Sequence, residues 1–444
     1  MNRRSFLHLG ASAAALSLLP RRSPAAFANG MLNHCAIGVS GQGGSDLGQL
    51  AGHPKFKLVA AVDIDQGNLD RLKADERFKE VRTYRDWREM LVAEGDKIDS
   101  VNIATPDHMH GIISLSAMNL GKHVYCEKPL TQTVAEARRM RLTADAKQVI
   151  TQMGNQIHSD IAYRLGVAWL REGAIGKIKE VHSWTGATFP QKARPDGEDP
   201  VPDSLSWDLW LGGAQAVPYK KGLYHPFQWR GWQSFGGGGL GDFGCHIWDP
   251  PFTALALTAP ISLSSEVCPE WAADPKRSKE SWPDWEIYRT VFPGTQFCAG
   301  ETIPLTWYGG GKRPDKSLVQ LPEGRDLPGG GSIFIGTEGQ MVLPHVGGPQ
   351  LYPFDTFKGH PKPDLPKHIN HYRTWIDHVL EGKRTTDGFH YSGPLTEAVQ
   401  LGNIANRFPG QTLKWDTAAL RFTNNDAANV LIDPPYREGW KVLG

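Results

Sequence analysis

Between positions 34 and 153 the apolar residues fall into short, nearly continuous runs, separated by stretches where they recur at helical spacing. The runs at 34–40, 57–62, 100–105, 123–126 and 149–153 have the character of strands buried on both faces, as in a parallel sheet. Stretches near 68–77, 84–92, 108–120 and 134–147 read as the helices between them. Thr133, with Glu136 three positions on, forms a capping box that fixes the start of the last helix. Gly121 stands where a left-handed cap would end the preceding one. This alternation predicts an α/β Rossmann domain with a doubly wound parallel sheet.

From about residue 158 the texture changes. A helix over 158–171 ends at Glu172-Gly173, and 177–186 reads as a strand. Long segments rich in proline, glycine and tryptophan follow, with short strand-like runs at 290–292, 332–336 and 340–343. Helices over 366–381 and 393–407 close the chain's second half. The pattern predicts an α+β domain with a large, mostly antiparallel open sheet. No internal repeat is visible.

The first residues follow neither pattern. Asn2-Arg3-Arg4-Ser5-Phe6-Leu7 is a twin-arginine signature, followed by an apolar run from Leu7 to Leu19 and the small-x-small site Ala26-Phe27-Ala28. That run is shorter than the ~20 residues needed to span a bilayer. The expected division is a signal peptide over 1–28, a cofactor-binding domain over 29–157 and a substrate and oligomerisation domain over 158–444. The expected location is the periplasm, reached in the folded state.

A length of 444 residues exceeds one ordinary core, in keeping with two domains. With 48 basic and 47 acidic residues the net charge is +1, which gives no field for nucleic acid or an anionic membrane. Five scattered cysteines without CxxC spacing argue against a zinc knuckle or a full disulfide framework, and leave room for one bridge.

The first strand runs into Ile37-Gly38-Val39-Ser40-Gly41-Gln42-Gly43-Gly44 and then a helix. In that context a glycine-rich turn lets backbone approach a pyrophosphate at a helix N-terminus. Ser40 stands where a second glycine is expected, so Gly38, Ser40, Gly41, Gln42 and Gly43 are read together as the phosphate loop. Asp63, at the end of the second strand and 20 residues after Gly43, would accept both ribose hydroxyls and repel a 2′-phosphate. Ile64 and Asp65 beside it offer no cation, so NAD is expected over NADP. Thr105 and Pro106 end the strand over 100–105, at the edge where ligands sit in such sheets, and His110 opens the next helix.

The glycine-rich turn, Ala104-Thr105-Pro106 with His110, Glu127-Lys128-Pro129, and Gly241-Asp242-x-Gly244-x-His246-x-x-Asp249 stand in an order that resembles the glucose–fructose oxidoreductase/inositol dehydrogenase/rhizopine catabolism (Gfo/Idh/MocA) family. Gln-Met-Gly-Asn-Gln-x-His-Ser at 152–159 and Trp-Asp-x-Trp-Leu-Gly at 207–212 resemble its secreted branch. The resemblance implies that Lys128 lies beside the nicotinamide, with Glu127 near it, and that Gln156 and His158 face cofactor and substrate. It also implies self-association through the open sheet.

An ammonium at Lys128 could hold a substrate hydroxyl and stabilise a developing alkoxide, and burial beside a cationic ring would lower its pKa. Asp242 and His246, four apart, fall on one helix face. His246 is the expected general base, with Asp242 orienting substrate and holding the imidazole's charge. Asp249 reads as a supporting residue. A metal at Asp242, His246 and Asp249 is the lesser alternative, and no metal is expected. His225, Arg230 and Trp232 are candidate sugar contacts; for the tryptophans at 207, 210, 229, 232 and 248, core packing is the equal alternative. These residues point to an oxidoreductase acting on a sugar, glycoside or cyclic polyol with tightly held NAD. Alternatives are a redox-neutral glycosidase using bound NAD through a transient keto-sugar, and a non-catalytic NAD-binding sensor.

Overall fold

In the computed structural model, which describes residues 30–444, the first domain carries six parallel strands. They are β1 (Leu32–Ile37), β2 (Phe56–Val62), β3 (Arg82–Tyr84), β4 (Ser100–Ile103), β5 (His123–Glu127) and β6 (Thr151–Gly154). The order is β3-β2-β1-β4-β5-β6, with β1 central. The twin-arginine segment lies outside the described residues.

The expected elements differ from those found mainly at one edge. β3 was not foreseen, because Arg-Thr-Tyr carries no apolar run. It pairs only with β2 and is half exposed, so it needs no two-sided burial. The helix expected near 84–92 begins after it, at Trp87, where the Asp86 side chain accepts from the Arg88 amide. Helices α1 (Gln42–Leu50), α2 (Gln66–Lys73), α3 (Trp87–Glu94), α4 (Asp107–Asn119) and α5 (Val134–Lys147) connect the strands. Thr133 caps α5 through the Glu136 amide, as its sequence predicts.

The second domain follows helix α6 (Ile161–Glu172). Its nine strands are β7 (Ile178–Trp184), β8 (Ser262–Val267), β9 (Glu286–Pro293), β10 (Thr302–Tyr308), β11 (Gly331–Gly336), β12 (Gln340–Pro344), β13 (Gln350–Tyr352), β14 (Leu413–Asp416) and β15 (Arg421–Phe422). The order is β13-β12-β11-β7-β10-β9-β8-β14-β15, antiparallel except for β7 beside β10. Helices α7 (Trp207–Leu211), α8 (Gly238–Ile247), α9 (Asp249–Leu255), α10 (His371–Glu381) and α11 (Phe389–Asn406) lie among these strands in sequence. Buried almost throughout, α11 packs on α5 of the first domain and on α8 and β8 of the second. One hydrophobic core therefore reaches from Ile37 and Val101 to Leu305 and Trp307. It holds the carboxyl edge of the Rossmann sheet against α8.

All five cysteines are free and buried, so no bridge forms. Among the described residues no helix is long and apolar enough to cross a membrane.

Candidate active site

The turn after β1 is built on close backbone approach. Gly38 has φ +83°, and a Cβ there would lie 2.4 Å from the Ala104 carbonyl oxygen. A Cβ on Gly43 would lie 2.1 Å from the Gly38 oxygen. The turn is thus pressed against the end of β4, and Ser40 and Gln42 stay exposed at the start of α1. Ser40 and Gly41, with Asn68 and Arg71, line a cavity of about 290 Å³. Asp63 is buried: one carboxylate oxygen accepts the Val39 amide at 3.1 Å, the other the Asp65 amide and the Asn68 side chain, each at 3.0 Å. It braces the turn. Neither Ile64 nor Asp65 brings a cation here; α2 brings Arg71 to the same cavity, donating to Asn68.

Two buried polar atoms at this edge, Thr105 Oγ1 and Asp46 Oδ2, have no protein partner. Together with the glycine cradle and the open start of α1 they fit a dinucleotide. Gln156 donates to Glu127 at 2.9 Å. Burial pushes the Asp46 carboxyl up to about 6 and holds Glu127, beside it, well above the usual range. Pro106 precedes α4, and the His110 ring nitrogens lie 2.8 and 2.7 Å from the Pro129 and Thr105 carbonyls. His110 therefore ties two strand-end turns together.

Lys128 follows β5, and its ammonium donates to the Asp242 carboxylate at 2.6 Å and the Asp242 carbonyl at 3.1 Å. Arg230 approaches the same carboxylate oxygen at 3.4 Å. Burial alone would lower the Lys128 pKa, but Asp242 outweighs it and the pKa is raised. Among the protein's own groups, then, the pair with Asp242 sets the direction of the shift. Asp242 is held below its ordinary value; burial opposes this, and Lys128 and Arg230 prevail.

His246 stands on the same helix, α8, but its imidazole is not held by Asp242. Its Nδ1 lies 2.5 Å from Asn155 Oδ1, while the Asn155 amide nitrogen donates to the Cys245 carbonyl at 3.1 Å. That second bond orients the amide, so Nδ1 must carry the proton and Nε2 presents a lone pair. Burial, Lys128 and His345 hold the His246 pKa well below 6.5. The site thus presents a neutral imidazole next to an ammonium–carboxylate pair.

Other expected site residues are dispersed. Both ring nitrogens of His158 are engaged, Nδ1 with Asp249 at 2.8 Å and Nε2 with Thr386 at 3.0 Å. His225 lies 3.9 Å from Asp65, by the turn after β2. The Arg230 guanidinium packs over Phe227 and Trp229, with centroids 4.5 and 4.2 Å away. Trp232 is fully buried, its indole donating to the Leu223 carbonyl, and has no surface to offer a sugar. Trp207 and Trp210 stack at 4.6 Å within the same aromatic cluster, and Trp248 stacks on Tyr288 in the main core. Packing decides these tryptophans.

Residues 32–155 match the oxidoreductase family with an NAD-binding Rossmann fold, GFO_IDH_MocA, and residues 174–270 match the C-terminal alpha/beta domain of the same family. The chain belongs to the Gfo/Idh/MocA family. It is similar to a levoglucosan dehydrogenase of Pseudarthrobacter phenanthrenivorans, 30% identical over 228 residues, covering 51% of this chain and 48% of the relative. An inositol 2-dehydrogenase of Saccharopolyspora erythraea is 34% identical over 154 residues, 33% of this chain and 44% of the relative. The chain thus spans about half the length of these two relatives or less. The fold is that of the WlbA dehydrogenase of Bordetella pertussis, solved with NADH and UDP-GlcNAcA (TM-score 0.58, 16% identity, 87% of this chain and 99% of that one).

Within this Gfo/Idh/MocA chain the fold adds three residues that sequence reasoning passed over. Asn155 stood inside the 152–159 motif, unmarked by any charge. Asp107 follows Pro106 and accepts the Gly237 amide at 3.0 Å, tying α4 to the glycine run before α8; burial pushes its carboxyl up to about 7. His345, just beyond β12, faces His246 with ring centroids 5.6 Å apart and is held by the Tyr163 hydroxyl at 3.0 Å. No local motif marks His345.

Proposed function

We propose that this protein is an NAD-dependent oxidoreductase acting on a carbinol of a sugar, glycoside or cyclic polyol. The observation that carries the reading is His246, neutral and tautomerically fixed by Asn155, beside Lys128 paired to Asp242. When bound, the nicotinamide supplies a hydride acceptor at the carboxyl edge of the Rossmann sheet. Lys128 holds the substrate oxygen and stabilises its developing negative charge. Nε2 of His246 takes the hydroxyl proton as the C–H electron pair leaves and the C=O bond forms. Asp242 positions Lys128. Relatives named for levoglucosan and inositol support a cyclic polyhydroxylated substrate.

The reading includes export by the twin-arginine signature and NAD that is retained and not exchanged, since no cofactor pool is maintained outside the cytoplasm. Self-association through the open face of the nine-stranded sheet completes it, testable by light scattering. The deciding experiment incubates purified protein, with and without added NAD, with a panel of free sugars, glycosides and polyols. Cofactor reduction or paired oxidised and reduced products are expected. Cleaved glycosides would transfer the reading to a glycosidase. Lys128→Ala and His246→Ala should each cost orders of magnitude in turnover with cofactor binding nearly intact, and the double variant should lose much less than the sum. Near-normal rates in either single variant would remove that residue from the chemistry.

A further inference from the structure

We propose a divalent-cation site at His158, Asp249 and Asp387, behind the catalytic histidine. One ring nitrogen of His158 and one carboxylate oxygen from each aspartate lie within 4.8 Å of one another. Ligands held tetrahedrally at about 2.0–2.2 Å from one ion stand roughly 3.3–3.6 Å apart, so shifts of about an ångström close the site. The independent observation is Asp387. It is 1% exposed, and neither carboxylate oxygen has a hydrogen-bond partner.

Two buried carboxylates converge here on one imidazole. A protonated His158 would face both carboxylates but is bonded only to Asp249, at 2.8 Å, and leaves Asp387 without a hydrogen-bond donor. A buried carboxylate without donor or cation is costly, and an ion bound by all three groups removes that cost. One imidazole and two carboxylates suit a borderline ion such as Zn²⁺ better than Mg²⁺, which prefers oxygen alone. Supporting contacts are present: the Tyr391 hydroxyl donates to Asp249 Oδ1 at 2.7 Å and fixes the carboxylate. Thr386, which is exposed, covers His158 and marks the entry side.

The ion would join three segments. His158 follows β6, three residues after the Asn155 that fixes His246; Asp249 opens α9 directly after α8; Asp387 precedes α11. Its role is therefore positional, holding the catalytic helix against the Rossmann sheet.

The test strips the full-length protein with chelator, then titrates it with Zn²⁺ by calorimetry, with Mg²⁺ as contrast, and follows melting temperature. Binding of about one Zn²⁺ per chain is expected, with a rise in melting temperature that Mg²⁺ does not match. Asp387→Asn, nearly isosteric, should weaken Zn²⁺ on the order of 100-fold. Co²⁺ absorption on the unmodified protein reads the same site without any variant. No Zn²⁺ binding and no Co²⁺ spectrum would overturn the proposal. So would Asp387→Asn that binds Zn²⁺ as the parent does, because the ion would then lie elsewhere.

Discussion

His246 is an acceptor because of what Asn155 does to its far side. The Asn155 carbonyl accepts from Nδ1 only while its amide nitrogen is engaged by Cys245, so one side chain sets the tautomer of another. Asn155→Ala should leave dinucleotide affinity unchanged and lower kcat by roughly 10²-fold, the scale of a misplaced general base. Fluorescence titration with NADH and steady-state rates check both halves; equal losses in binding and turnover would mark Asn155 as structural. The pH dependence follows from the His246 shift. Burial, Lys128 and His345 disfavour the imidazolium, so the reactive neutral form persists as pH falls below 6.5. The acid limb of kcat/KM for carbinol oxidation should therefore lie below that value. His345→Gln removes one of the groups that disfavour the imidazolium and should move the limb to higher pH, and a pH–rate profile of the two proteins reads the displacement.

At the scale of elements, the site is assembled from strand ends. β1, β4 and β5 each stop at the same edge, and each delivers one turn: the glycine-rich loop, Thr105-Pro106, and Lys128-Pro129. The first two are packed against each other by backbone, which leaves no room for a side chain on the glycines, and the His110 ring ties the second to the third. Gly43→Ala would bring a Cβ within 2.1 Å of the Gly38 oxygen and 3.0 Å of the Ala104 Cβ. Neither obstacle can rotate away. The variant should lose about 1–3 kcal/mol of stability, the scale of overpacking, along with much of its dinucleotide affinity. Chemical denaturation and titration measure the two. An unaltered affinity would show that the turn tolerates displacement and is not shaped by its ligand.

For the whole molecule, the question is what keeps α8 opposite those strand ends. α11 runs between the two domains, and Glu397 on it takes a bidentate pair from Arg138 of α5 at 2.7 Å in both contacts. The Glu397 side chain is 4% exposed and Arg138 15%. Removing one partner leaves a buried charge, so Arg138→Ala should cost about 3 kcal/mol in denaturant unfolding. Replacing both residues with apolar ones, Arg138→Met with Glu397→Leu, should recover most of it. If the single variant cost no more than a surface change, the pair would be a solvated bridge and the domains would be held by the shared core alone.

Local pattern was enough for much of this. Continuous apolar runs mark strands buried on both faces, and a capping box marks the start of α5, because burial and capping are satisfied by neighbours in the chain. Glycines at fixed spacing after β1, and Asp63 at the end of β2, declare the cofactor turn for the same reason. β3 was silent because an edge strand needs no apolar run. Trp232 and its neighbours were ambiguous because an aromatic ring suits a sugar face and a core equally, and only the packing around them decides. His345, Arg71, and the meeting of His158, Asp249 and Asp387 carry no local mark at all. They are brought together from distant segments by the shared core, so their chemistry depends on distances that the chain acquires only when both domains close around α11.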